Sequence, residues 1–212
     1  MKKIFLSLAV LATGVTVQAQ EGFGFKEGDI LLEGSLQLNS AKESIEIEGV
    51  NNSIKESTTL FTPKAGYFIN DQFVLGIELG IGAYKQVQEA GSTEKEVTSN
   101  GFYAGVFGRY YFLDLGQRFK TYSELGAGMT NSKYTDVAGN VSKTSGFGAG
   151  LGLGINYFVT PKIAINFGLS DLLHFSTEKD KDTNVKTDEF GANINIFDNF
   201  FTTASFGLTF KL

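Results

Sequence analysis

The 212-residue sequence has no cysteine, no tryptophan, two prolines and a single histidine, His174. Without cysteine there is no disulfide, thiolate metal centre, cysteine nucleophile or lipid-modified N-terminal cysteine. One histidine excludes a histidine-rich metal cage. The 18 basic residues are outnumbered by 23 acidic ones, a net charge of −5, so the basic surplus of a nucleic-acid binder is missing. Long apolar runs are scarce: after residue 19 none approaches the ~20 residues that a membrane helix needs. What is abundant is glycine, with 26 residues, and phenylalanine, with 20. The length suits one domain, such as a single all-β unit.

The N-terminus reads as an address. Met1-Lys2-Lys3 is basic, Ile4 to Val17 is mostly apolar, and Val17-Gln18-Ala19 places small or modest residues at the cleavage-reading positions. This is the layout of a secretory signal peptide over residues 1–19, cut after Ala19, with a single domain over 20–212.

Beyond it the pattern has a period of two. From Gly146 to Val159, Phe147, Ala149, Leu151, Leu153, Ile155 and Tyr157 alternate with Gly146, Gly148, Gly150, Gly152, Gly154 and Asn156. Such alternation is a strand signal. It is not a phosphate cradle, which breaks the alternation and ends at a helix. The pattern recurs over 29–39, 59–69, 73–86, 101–112, 119–130, 162–170 and 202–212, eight strands in all. Many exceed the ~5–6 residues usual in globular sheets.

The orientation of the faces decides the class. One face is Leu, Ile and Phe. The other is glycine-rich and carries Glu33, Lys64, Glu78, Arg109, Lys120, Glu124 and Lys211. In a water-soluble barrel the glycine face is the exterior, where it weakens strands and packs nothing. The large residues then overfill a lumen that has room only for side chains. Turned inside out, both conflicts vanish: the apolar face meets lipid, and closure satisfies every backbone group in hydrocarbon. A Lys or Arg on the lipid face costs about 2–4 kcal/mol at mid-membrane, and the apolar faces hold no charge.

Connections alternate long and short: 40–58 then 70–72, 87–100 then 113–118, 131–145 then 160–161, and finally 177–189. Long loops at one end and tight turns at the other are the outer-membrane arrangement. Aromatics at the short-turn end (Tyr67, Phe73, Tyr110, Phe112, Tyr157) and towards the long-loop end (Phe61, Phe102, Phe147, Phe175) read as interface girdles.

On these residues the chain resembles the small outer-membrane β-barrel domain family, the OmpA/OmpX-like eight-stranded group. The most specific segments are Pro63-Lys64-Ala65-Gly66-Tyr67-Phe68, leading into Asn70-Asp71, and Phe107-Gly108-Arg109-Tyr110-Tyr111-Phe112. The C-terminal Ser205 to Leu212 is similar to the assembly signal that such barrels present to the insertion machinery, through Gly207, Phe210 and Leu212, although Leu212 stands where the pattern has an aromatic. The resemblance implies an eight-stranded antiparallel up-and-down transmembrane β-barrel. It also implies an outer-membrane location in a Gram-negative-type bacterium, with lipid and lipopolysaccharide as neighbours, and no cofactor.

Three constellations are candidates for chemistry. Lys64, Glu78, Arg109 and Glu124 lie at a similar depth, about four to six residues from their short-turn ends at ~3.3 Å per residue. They predict an interior charge network that plugs the lumen by pairing buried ions; the alternative is a gate or narrow pore. His174-Phe175-Ser176 resembles the lipid A deacylase family, another eight-stranded barrel, which uses His, Ser and an acid facing lipid. Alternation puts His174 and Ser176 inward, and a bulge near Ser170-Asp171 would reverse that. Asp180, Asp182 and Asn184 are spaced like a calcium loop, but position six is Val185 and position twelve Gly191, so no metal is expected.

The sequence therefore reads as a non-enzymatic outer-membrane barrel with a structural or adhesin-like surface role. The alternatives are a lipid-modifying barrel enzyme using His174 and Ser176, a narrow pore, and a secreted soluble barrel for an apolar ligand. Residues 20–28 and 190–201 are left unassigned, the latter extending the last strand or folding over the mouth. A lipid-facing barrel is expected to require detergent for extraction and to migrate differently on gels before and after boiling. Free solubility without amphiphile, with one migration in both conditions, would mark the soluble alternative.

Overall fold

The computed structural model describes residues 22–47, 50–90, 93–193 and 205–212. The expected signal peptide, 1–19, and residues 194–201 of the unassigned stretch lie outside them. The described residues form nine strand segments: β1 (Ile30–Ile47), β2 (Val50–Asn70), β3 (Phe73–Ala90), β4 (Thr93–Leu115), β5 (Phe119–Thr135), β6 (Val141–Thr160), β7 (Ile163–Asp180), β8 (Lys186–Ala192) and β9 (Ser205–Lys211). Consecutive segments from β1 to β8 pair antiparallel. β9 then pairs with both β7 and β1 and closes an eight-membered ring. β8 lies along the far half of β7 and β9 along its near half, so the two share the eighth position. Ile30 and Leu212 exchange backbone hydrogen bonds, each 3.0 Å, so the barrel's first and last strands meet at their ends.

Alternation places the two faces as the sequence implies. On β3, Ile77 is 58% exposed while its neighbour Glu78 is 9% exposed. Exposed apolar side chains continue around the ring through Leu36, Phe61, Leu75, Val106, Leu125, Phe147 and Leu208. A band of this extent exceeds any patch that a soluble monomer shows to water. In a bilayer it is the lipid-facing wall. The buried apolar cluster is small and sits inside the short-turn end: Phe25, Leu31, Phe68, Val74, Phe107, Tyr111, Tyr122, Phe158 and Ala164.

The short turns are fixed by side chains. Asn70 Oδ1 accepts from the N–H groups of Gln72 and Phe73, both at 2.9 Å. Thr160 Oγ1 accepts from those of Lys162 and Ile163, at 3.3 and 3.0 Å. At the opposite end Asp136 caps its hairpin turn, and hydrogen bonds from the Asn140 side chain and backbone hold its carboxyl below the usual range.

The long connections differ from the expected loops. They are mostly strand: the β1–β2 ladder runs on until Ile47 faces Val50, and the β3–β4 ladder until Ala90 faces Thr93. Likewise β5–β6 continues to Thr135 opposite Val141, and β7–β8 spans Lys179 opposite Lys186. The stretches keep β-branched residues such as Ile45, Ile54, Thr58, Val87 and Val97, which favour extended backbone. Their polar residues fall on both faces, so the apolar period that marks a membrane strand disappears there while the pairing does not.

Ile77 lies near the middle of the apolar band. Ile77→Lys is expected to weaken folding into lipid vesicles by about 2–4 kcal/mol, measured by urea titration. An unchanged titration would show that this face does not meet hydrocarbon.

Candidate functional site

Above the apolar cluster every ring position sends at least one polar side chain toward the axis. They are Glu33 from β1, Lys64 from β2, Glu78 from β3, Arg109 and Tyr103 from β4, Glu124 from β5, Asn156 from β6, Asn166 from β7 and Thr209 from β9. Period-two geometry imposes this, since each belongs to the inward register of its strand.

Arg109 is the hub, 1% exposed. Its Nη1 and Nη2 donate to the two carboxylate oxygens of Glu33 at 2.9 and 2.8 Å. Its Nε donates to Glu124 Oε2 at 2.7 Å. Only a guanidinium meets two carboxylates in one plane, which a lysine could not do. The plane also lies over the Tyr122 ring, 3.9 Å from its centroid. Lys64 carries the second positive charge, with Nζ 2.8 Å from Glu78 Oε2 and also bonded to Glu124.

Neutral groups complete the layer. Tyr103 donates its hydroxyl to Glu78 Oε1 at 2.7 Å. A donor chain runs from Tyr111 to Asn156 Oδ1 (2.8 Å), from Asn156 Nδ2 to Thr209 Oγ1 (3.0 Å) and from Thr209 to Glu33 Oε2 (2.7 Å). Tyr122 donates to Asn166 Oδ1 at 2.8 Å. Glycine makes room for the rings: a Cβ on Gly76 would lie 2.6 Å from the Phe107 ring, and one on Gly154 would lie 2.2 Å from Tyr122.

The structure thus joins the four residues expected as a network and adds Glu33, the main partner of Arg109. Its signal was legible, since Glu33 falls on the glycine-rich face opposite Lys64 in the β1–β2 pairing. Three carboxylates face two cations, and each is held by direct bonds. The five charged groups are all engaged with one another.

On the hairpin side of the layer lies a polar cavity of about 1030 Å³, lined among others by Gln37, Thr62, Tyr103, Gly150, Asp171, His174 and Ser176. His174 and Ser176 both point into it. The β6–β7 ladder carries three register shifts: one beside the turn, between Phe158 and Thr160, and two nearer the pair, between Leu153 and Gly154 and between Leu151 and Gly152. A single bulge would turn the pair toward lipid; two cancel, so His174 faces Gly150 and Ser176 faces Gly148 across the inner wall. His174 Nε2 lies 3.4 Å from Glu189 Oε1. A lipid-facing His–Ser pair is therefore not what the fold builds. Among the described residues, no cluster of three His, Cys, Asp or Glu side chains is placed to hold a metal. Of the C-terminal residues, Gly207 lies in the inward register opposite Ser35 and Asn166, while Phe210 and Leu212 are on the outer face, 38% and 58% exposed.

Residues 5–196 match the family model of the outer membrane protein beta-barrel domain. Among solved structures, OprG from Pseudomonas aeruginosa is similar at 14% identity over 89% of this chain and 98% of that one, with a TM-score of 0.47. Neisserial surface protein A is similar at 18% identity over 88% and 100%, with a TM-score of 0.44. Ail, the attachment invasion locus protein of Yersinia pestis, is similar at 14% identity over 88% and 99%, with a TM-score of 0.42. No curated protein matches.

Arg109→Ala leaves Glu33 buried without its counter-ion and Glu124 with Lys64 alone. It is expected to destabilise the folded barrel by about 3–5 kcal/mol, read from urea titration in lipid. Replacing Glu33 by Ala as well should recover part of that loss. A single variant as stable as the parent would show that the cluster contributes nothing.

Proposed function

The chain belongs to the outer membrane protein β-barrel domain family, and from that premise we propose that it is a non-enzymatic surface protein. In this reading a leader over residues 1–19 exports it, and Gly207, Phe210 and Leu212 present it to the insertion machinery. Its outer wall then rests among outer-membrane lipid and lipopolysaccharide. The ionic layer plugs the lumen, and the hairpins meet an external partner.

The observation that carries the proposal is the persistence of strand pairing beyond the membrane band. The β1–β2 ladder pairs residues from Ile30–Tyr67 to Ile47–Val50. At ~3.3 Å per residue and a tilt of about 45°, such a ladder rises on the order of 40 Å, against an apolar band of about 25 Å. The excess stands outside as ordered β-hairpin. A preordered surface loses little entropy when it binds, which is what an attachment or scaffold role needs. Its charges are mixed: Lys42, Lys55, Lys85 and Lys95 are interleaved with Glu43, Glu46, Glu89 and Glu94, with no arginine among the hairpins. That composition suits a protein surface better than a polyanion.

Shortening the first hairpin by replacing residues 41–56 with an Asn-Gly turn tests the division of labour. Parent and variant are both expected to show heat-modifiable migration and to stay silent in planar-bilayer recordings, while cells carrying the variant lose adhesion. Steady ion conductance by the parent, or adhesion unaffected by shortening any of the four hairpins, would overturn the reading.

A further inference from the structure

We propose that residues 22–29 form a strap that stoppers the short-turn mouth of the barrel from the periplasmic side, with the Phe25 ring as its bung. The segment precedes β1 and could have trailed away from the wall. It turns back across the opening instead, and Gly24 and Gly28 supply the two left-handed turns, with φ of 108° and 91°.

Phe25 is 8% exposed. Its ring stacks on Phe68 at 4.3 Å and meets Tyr111 and Phe158 at 5.0 and 5.1 Å, residues from β2, β4 and β6. One ring therefore touches three separate hairpins at the point where the lumen would open. Backbone bonds hold the strap in register: Gly28 N–H donates to Phe68 O, and Phe68 N–H to Asp29 O, both at 2.9 Å. Glu27 N–H donates to Asp71 Oδ1 at 2.8 Å, in the β2–β3 turn. On the far side Arg118, from the β4–β5 turn, lies over the Phe23 ring at 4.6 Å. Gly24 packs against the Lys120 stem, where a Cβ would come within 2.8 Å.

The barrel is thus closed twice in series, by an apolar seal at the mouth and by the ionic layer above it. What remains open is the cavity at the hairpin end. Movement of a solute through the lumen would require the strap to leave its seat as well as the Arg109 cluster to part.

The absence of cysteine makes the test clean. Ala164 is fully buried in the cluster that holds Phe25, whereas Gly150 lines the open cavity. In refolded Ala164→Cys protein, a membrane-impermeant maleimide is expected to react slowly, while Gly150→Cys reacts at once. Adding Phe25→Ala to Ala164→Cys should speed labelling about a hundredfold, with heat-modifiable migration retained. Phe25→Met, which refills the volume, should restore most of the protection. Fast labelling of Ala164→Cys with the strap intact, or labelling unmoved by Phe25→Ala, would overturn the proposal. So would acceleration accompanied by lost heat-modifiability, since the ring would then hold the wall together and not seal it. Labelling at 164 reads the strap alone, and its outcome is independent of the conductance and adhesion that test the surface role.

Discussion

Hydrocarbon offers no hydrogen bonds, and the rest of the structure follows from that constraint. Each backbone N–H and C=O within the membrane must find a partner in the chain. A sheet meets this requirement only as a closed ring, which β9 completes by pairing with β7 and β1. Closure fixes the side chains in turn. With a period of two, the apolar set faces out and whatever remains must fit around a narrow axis. Glycine and ionisable residues therefore share the interior because the exterior excludes charge and the interior lacks room.

The interior then has its own electrostatic problem. Ions taken out of water must be paired and hydrogen-bonded or they destabilise the fold. Arg109 meets this with a planar fork between Glu33 and Glu124, and Lys64 with Glu78 and Glu124. The tyrosine, asparagine and threonine chain satisfies the oxygens that remain. Below this layer the lumen changes character and becomes aromatic. Above it glycines at 148 and 150 leave the wall bare, and the cavity forms there. Three zones are stacked along one axis, and each is written in the inward register of the same strands.

Much of this was legible before any coordinates. The strand faces, the ring and the depth of the four charges all come from alternation, which is local and strict. Glu33 lies on the same face as the four, but depth counted from the short turns does not reach it, because no short turn precedes β1. The hairpin extensions were harder. Outside the membrane nothing forces one face to be apolar, so residues 40–47 and 50–58 lose the period while keeping the pairing. In the β6–β7 ladder the shift beside Ser170-Asp171 was legible, because Asp171 breaks the alternation; the next one, between Leu151 and Gly152, has no such mark, and only the cancellation of the two decides where His174 points. Phe25 gave least warning, since a single aromatic in a segment with no period says nothing of where it will pack.

The meeting of Ile30 with Leu212 has a kinetic meaning. The ring's closing contacts join opposite ends of the domain, and Thr209 reaches Glu33 across 176 residues of sequence. Contacts of that separation form late and slowly. No part of the wall is sealed until the last strand has been synthesised and delivered. Until then the unclosed chain exposes the oily stripes of its membrane strands together with unpaired strand edges, a combination prone to clump in water. The order of assembly is thus written into the topology, with long-range closure last and apolar surface exposed until it happens.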